Sequence, residues 1–227
     1  MSEAPQAGPI FAERPQARVI ADAWTFALPL ALAAAGFVGL GWPWVGGVFA
    51  GLGVFCLAFF RNPVRHFAGD ERDVVAPADG RVLAVDEVED EAHGKGLRIG
   101  IFLSVFDVHV NRAPVCGRVR AIERGGSRFL AAFDPRGERE NVRLAMTLEM
   151  ADGRLVVVTQ ITGLIARRIV CHPRVGEWLE RGVRYGLIRF GSRTDVWLPL
   201  GSEACVRRGE RVRGGATRIA RLPESAR

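Results

Sequence analysis

The chain has 227 residues, a formal net charge of +6 and 48% apolar residues, enough for one compact domain with accessory segments. Lys95 is the only lysine and sits in the polar run His93-Gly94-Lys95-Gly96, read as a loop. That argues against pyridoxal phosphate, which needs a Schiff-base lysine, and against lipoyl or biotinyl attachment. Cys56, Cys116, Cys171 and Cys205 lie far apart with no CxxC pair, which argues against a metal site or disulfide framework and fits a reducing compartment.

A basic tail over 1–21 precedes a stretch with no Asp, Glu, Lys, Arg or His between Asp22 and Arg61. One straight helix of that length overshoots a bilayer core of about 30 Å. Two apolar helices, Trp24–Leu40 and Pro43–Phe60, turning at Gly41-Trp42-Pro43, fit better, so a helical hairpin is expected over 22–60. Arg14 and Arg18 before it and Arg61 and Arg65 after it place both ends in the cytoplasm, with Trp24, Trp42 and Trp44 near the interfaces. A shallow re-entrant hairpin satisfies the same pattern. Either arrangement holds the chain at a membrane, and the stretch is too long for an ordinary signal peptide.

After a linker over 61–72 the pattern changes to short β-rich runs separated by Gly, Pro and Asp clusters, so 73–227 is expected to be a mainly β domain. Strands are predicted at Arg81–Val88, Leu97–Leu103, Arg118–Ile122, Val142–Glu149, Arg154–Ile161, Leu164–Val170, Leu187–Phe190 and Thr194–Leu198. Glu177–Arg181 hints at a helical turn, but the flanking glycines favour a β-turn. Gly125–Asn141 reads as a mobile loop beside the site, with room for a short helix. Two repeats stand out. Ala76-Pro77-Ala78-Asp79-Gly80-Arg81-Val82 is echoed by Ala113-Pro114-Val115-Cys116-Gly117-Arg118-Val119, and the Gly176–Gly182 run by Gly209–Gly215. They point to a duplicated, barrel-sandwich-like β domain.

The Gly191-Ser192 pair lies between two predicted strands. Glycine leaves the carbonyl unshielded and tolerates a strained turn, so a following hydroxyl can attack it, although most Gly-Ser pairs are solvated turns. The surrounding runs are more specific: Gln160–Cys171, Gly182–Pro199, Val75-Ala76-Pro77-Ala78-Asp79-Gly80, and Phe102–Pro114, which carries Asp107-Val108-His109. Together, over about residues 60–200, they resemble the short-form phosphatidylserine decarboxylase family.

That resemblance implies self-cleavage at Gly191-Ser192 into chains 1–191 and 192–227 that remain together as a heterodimer, with oligomerisation beyond that left open. It implies a covalent pyruvoyl cofactor made from Ser192, whose ketone takes the substrate amine as a Schiff base. The substrate would be phosphatidylserine, the product phosphatidylethanolamine, and the location the cytoplasmic face of the inner cell membrane. Catalytic roles carry over to Ser192, to Asp79 as a helper of self-cleavage, and to His109 as proton donor in decarboxylation. Arg112 stands where the long bacterial branch has a second histidine, and Phe190-Gly191-Ser192-Arg193 departs from the Leu-Gly-Ser-Thr form. The activating base is therefore either His109 or Asp79 acting through water. Arg112 and Arg193 are candidate phosphate contacts or plain surface charge. The rival readings are a non-catalytic, membrane-anchored, lipoyl-like adaptor and an inactive family member. Nucleic-acid binding lacks an interleaved aromatic pattern.

Overall fold

The computed structural model describes residues 21–90, 94–131, 134, 136–164, 168–188 and 192–224. It separates into two compact units, the first ending at Val64 and the second starting at Arg65. In the first, a 3-10 turn at Ala21–Ala23 leads into α1 (Trp24–Gly39), and α2 (Pro43–Phe59) returns antiparallel after a turn at Gly41, whose φ of +80° suits glycine. The helices meet along a seam of small residues. A Cβ on Gly46 would lie 2.8 Å from the Ala34 carbonyl oxygen, so only glycine permits this approach. Phe37 stacks on Phe49 at 5.2 Å. The other faces are apolar and exposed, including Leu32, Trp42 and Trp44. Ala21–Gly39 is long and apolar enough to cross a membrane, whereas Pro43–Phe59 is shorter.

The second unit is mainly β. Its strands are β1 (Asp73–Val75), β2 (Gly80–Asp90), β3 (Gly94–Leu103), β4 (Val110–Arg112), β5 (Gly117–Gly125), β6 (Arg143–Glu149), β7 (Leu155–Thr162), β8 (Ile169–Cys171), β9 (Trp178–Leu179), β10 (Arg184–Ile188), β11 (Ser192–Pro199), β12 (Glu203–Ala204), β13 (Arg211–Val212) and β14 (Arg218–Arg221). They pair as an eight-stranded sheet, β13-β2-β3-β11-β7-β6-β5-β9, and two three-stranded sheets, β1-β14-β12 and β4-β10-β8. One apolar core runs beneath them, with Ile99, Ile101, Leu144, Met146, Leu148, Val156, Val158, Val196 and Leu198 among its members.

The two sequence repeats correspond to a structural duplication. Each Ala-Pro-x-x-Gly run is a turn that leads into a long strand, β2 or β5, and the turns grip each other reciprocally. Val75 N–H donates to Pro114 O (3.0 Å), and Arg112 N–H donates to Pro77 O (2.8 Å). The Gly-Glu runs add matching edge strands: β13 pairs with β2 through Arg211↔Arg81, and β9 pairs with β5 through Trp178↔Arg118. Val82 donates to Glu210 O as Val119 does to Glu177 O, and Arg81 Nη1 reaches Gly209 O as Arg118 Nη1 reaches Gly176 O. Both long hairpins carry a register shift at the same place, after Val82 and after Val119.

Some local expectations change. Lys95 lies within β3 opposite Glu89 rather than in a loop, though it is exposed. The strand expected at Leu164–Val170 is confined to Ile169–Cys171, because Gly163 ends β7, and 165–167 lie outside the described residues. The strand expected at Leu187–Phe190 begins earlier, at Arg184, and Arg189 and Phe190 lie outside the described residues. Glu177–Arg181 contains the two-residue strand β9 between turns at 175–176 and 181–182. The Gly125–Asn141 segment carries α3 (Gly137–Glu140). Asn141 ties it down, its amide donating to Leu130 O and Thr162 O and accepting from Leu130 N–H.

Candidate active site

Ser192 opens β11, held between Leu103 of β3 and Thr162 of β7; Gly191 lies outside the described residues. Side chains alternate across a strand, so Ser192, Thr194, Val196 and Leu198 face the core, all fully buried. The last two are packed in oil-like surroundings, but the Ser192 end is polar. Asn111 of β4 donates through Nδ2 to Thr194 Oγ1 (3.1 Å), and Gln160 of β7 donates through Nε2 to Asn111 Oδ1 (2.8 Å). Thr162 Oγ1 donates to Val142 O (2.9 Å). Ser192 Oγ has no hydrogen-bond partner among the described residues. A buried hydroxyl left in that state costs about 1–3 kcal/mol and calls for an explanation, of which a catalytic role is one.

His109 reaches this end of the domain through a turn written in its own motif. Ser104 N–H donates to Asp107 Oδ2 (2.9 Å) and Asp107 N–H donates back to Ser104 O (3.0 Å), an aspartate-closed turn at the end of β3. The chain then enters β4, and Ile188 N–H, at the end of β10, donates to His109 O (3.3 Å). The ring is buried, with Nδ1 2.9 Å from Asp107 O. A carbonyl oxygen only accepts, so Nδ1 carries the proton and Nε2 is the basic nitrogen of the neutral ring.

Asp79 sits in the first Ala-Pro turn. Its Oδ1 accepts from Gly214 N–H (2.7 Å) and its Oδ2 pairs with Arg65 Nη2 (2.8 Å). Burial pushes its carboxyl above the ordinary range, opposed by Arg65 and the Gly214 N–H, with Asp107 nearby pushing the same way as burial. The duplicated fold separates two contributions here. The counterpart of Asp79 in the second repeat is Cys116, whose Sγ accepts from Arg181 N–H (3.3 Å) as Asp79 accepts from Gly214. The backbone contact therefore belongs to the scaffold, and the second oxygen with its arginine is particular to this turn. Phe102 of β3 pairs with both Arg81 and Arg193, which puts the Asp79 turn and Ser192 at the same end of the sheet. Two strand spacings, about 10 Å, separate the flanking backbones. Asp79 and Ser192 share no hydrogen bond.

The two candidate phosphate arginines have other partners. Arg112 is 3% exposed and donates through Nη1 to Gly182 O (2.9 Å), with its Cδ packed on the Gly215 turn. It braces the duplicated turns rather than facing solvent. Arg193 faces away from Ser192, across β11, and pairs with Asp195 (2.6 Å) and Glu138 of α3 (3.4 Å). Gly100 lies beside this pair, and a Cβ there would stand only 3.0 Å from Arg193 Nη2. Burial raises the Asp195 carboxyl, with Arg193 opposing. Neither residue is plain surface charge. Glu138 also pairs with Arg98, and these side chains line a cavity of ≈ 540 Å³ with Arg207 and Arg208, on the face of β11 opposite Ser192. Among the described residues no cluster of three or more His, Cys, Asp or Glu is placed to hold a metal ion.

Arg65, Asp107, Asn111, Gln160, Thr162 and Thr194 lie beside these candidate site residues and carried no role in the motifs. A signal for three of them was present: Thr194, Gln160 and Thr162 fall on the core-facing parity of strands otherwise filled by Val and Leu.

A family model described as phosphatidylserine decarboxylase matches residues 52–220. A phosphatidylserine decarboxylase proenzyme of Symbiobacterium thermophilum is 50% identical over 182 residues, 79% of this chain and 85% of the relative. One from Ralstonia nicotianae is 44% identical over 201 residues, covering 80% and 94%, and one from Burkholderia ambifaria is 42% identical over 217 residues, covering 92% and 99%. With a family model matching residues 52–220 and relatives 42–50% identical over 79–92% of its length, the chain belongs to the phosphatidylserine decarboxylase family, a family of decarboxylases.

Proposed function

We propose that this chain converts phosphatidylserine to phosphatidylethanolamine, using a pyruvoyl group that it makes from Ser192 by cutting its own Gly191-Ser192 bond. The observation that carries the reading is the fully buried Ser192 hydroxyl, unpartnered among the described residues, at the first position of a strand paired on both sides. The relatives' designation as proenzymes supports a processing step.

Ser192 Oγ attacks the Gly191 carbonyl carbon, the hydroxyl proton passes to a base, and the amide bond breaks to leave an ester and a free amine on residue 192. Loss of the α proton then expels the Gly191 carboxylate from the β carbon, giving dehydroalanine. Its imine tautomer takes up water and releases ammonia, leaving the pyruvoyl group. His109 is the base in this reading, because Asp107 O fixes the proton on Nδ1 and leaves Nε2 basic. Both Asp79 oxygens are engaged, so Asp79 shapes the field of the site rather than taking the first proton.

The residues fit the group. The pyruvoyl has no hydroxyl to satisfy, its amide continues into Arg193, and β11 is gripped by β3 and β7 along its length, so the cut end stays in place. The segment after the cut also contributes β13 to β2 and β14 to β1, which holds the two products together as a heterodimer. When present, the pyruvoyl ketone supplies an electron sink for loss of carbon dioxide from the amine-bearing carbon of the lipid's serine. In this reading His109 returns a proton to that carbon. The apolar hairpin supports attachment at a membrane, and its flanking arginines support the cytoplasmic face of the inner membrane.

A denaturing gel of purified wild type, Ser192→Ala and His109→Ala tests this. Wild type is expected as two chains, the smaller blocked at its amino terminus. Ser192→Ala is expected uncut and without carbon dioxide release from phosphatidylserine vesicles, and His109→Ala uncut. A Ser192→Ala protein that still decarboxylates the lipid would falsify the proposal.

A further inference from the structure

Two buried polar atoms at the Ser192 end lack partners among the described residues: the Ser192 hydroxyl and Gln160 Oε1. One is a donor and the other is an acceptor that cannot donate. Both residues are fully buried and lie on the same face of the same strand pair. Thr162 stands directly opposite Ser192 and Gln160 opposite Thr194, so Gln160 is the diagonal neighbour of Ser192 on β7. Diagonal pairs of this kind are about 7–8 Å apart at the backbone, within reach of a long side chain.

The direction in which Gln160 presents its amide is fixed. Nε2 lies 3.4 Å from Val170 O, which can only accept, and 2.8 Å from Asn111 Oδ1. Asn111 is oriented in turn by donating its Nδ2 to Thr194 Oγ1. The chain of donors therefore runs from Gln160 through Asn111 to Thr194, and it turns the Gln160 carbonyl away from that chain. A Cβ at residue 186 of β10 would lie 3.3 Å from Gln160 Nε2 and 2.1 Å from Val170 O, so Gly186 leaves the room this arrangement needs.

We infer that Gln160 is a positioning residue for self-cleavage: its Oε1, not bonded to Ser192 in this structure, accepts the hydroxyl when the serine turns toward it, aims Oγ at the preceding carbonyl, and is held in its orientation by Asn111. The inference rests on the self-processing reading above. No proton is transferred to Gln160; it fixes a rotamer, and the base takes the proton. A hydroxyl held in one rotamer spends more of its time in attack geometry, which is where rate is gained.

The test follows conversion of newly made full-length protein into its two chains over time, with thermal melts of each variant in a Ser192→Ala background as a fold check. Gln160→Met keeps the shape and removes the acceptor, and cleavage is expected to slow at least tenfold in a protein that still melts cooperatively. Gln160→Glu restores an acceptor but adds an ionisable one, so its cleavage is expected to show a rising limb with pH additional to wild type's own. If Gln160→Met does not fold, the presence or absence of that limb decides. Wild type cutting with Gln160→Met cutting equally fast, or Gln160→Glu following the wild-type pH profile, overturns the inference alone. A wild type that stays uncut overturns the self-processing reading and this inference with it.

Discussion

The Arg65–Asp79 pair makes a sharp prediction because its two sides can be removed separately. Arg65 is the first residue of the β unit, and its guanidinium meets Asp79 Oδ2 at 2.8 Å with side chains 14% and 17% exposed. Exposed pairs contribute at most about 1 kcal/mol, whereas removing one partner of a fully buried pair costs about 3–5 kcal/mol. This pair lies between those limits, so Arg65→Met is expected to cost about 2 kcal/mol, because Asp79 is left with only the Gly214 N–H against its desolvation. For a unit of this size that lowers Tm by about 4–8 °C. The assay is a thermal melt in detergent in the Ser192→Ala background, which keeps one intact chain. Without Arg65 the Asp79 carboxyl rises further, since burial is the dominant cause of its shift. In the cleavage-competent protein, processing by Arg65→Met should therefore need higher pH than in wild type. Asp79→Asn removes the charge that Arg65 answers, so adding Arg65→Met to it should cost little. An equal loss in the presence and absence of Asp79→Asn would refute the ion-pair argument.

Arg112→Met removes the charged hydrogen bond to Gly182 O and the contact with the Gly215 turn; Tm should fall by about 3–12 °C with KM for phosphatidylserine vesicles unchanged, and a raised KM at unchanged Tm would return Arg112 to phosphate binding. Asp79 and Asp195 both have carboxyls raised by burial. The folded chain therefore holds their protons more tightly than the unfolded one, and their contribution to stability is lost as pH rises through those raised values. Asp195→Asn should accordingly flatten the fall in Tm from about pH 4 upward, and a steeper fall would contradict the assignment.

The elements that the sequence displays best are those whose pattern is local. An uncharged stretch bounded by arginines can satisfy its backbone as helices, and Gly41-Trp42-Pro43 breaks it in two, so α1 and α2 fall within a residue of their expected ends. The repeat runs likewise showed a duplication, because a Pro-x-x-Gly turn needs its residues in fixed order and Gly176, Gly182, Gly209 and Gly215 all adopt positive φ. The turn that delivers His109, closed by Ser104 and Asp107, was not read from the sequence, where Phe102–Pro114 looked like one strand. Strand ends near the site were less legible: β10 begins at Arg184 and β8 only at Ile169, because pairing with a partner, not local propensity, sets where a strand stops.

Ser192, His109 and Asp79 were thus nameable as candidates through the family resemblance of their motifs, and the uncharged hairpin that precedes them from the chain alone. Which oxygen of Asp79 belongs to the scaffold, which nitrogen of His109 is basic, and that Arg112 and Arg193 are buried in other pairings were decided only by the folded structure. Arg65 comes to Asp79 across 14 intervening steps of chain, and Gln160, Asn111 and Thr194 converge from three strands. A hydrogen bond depends on distances of a few tenths of an ångström between groups far apart in sequence. Residue order supplies the donors and acceptors around Gly191-Ser192, and only the packing of sheet on sheet determines which are satisfied and which are left to act.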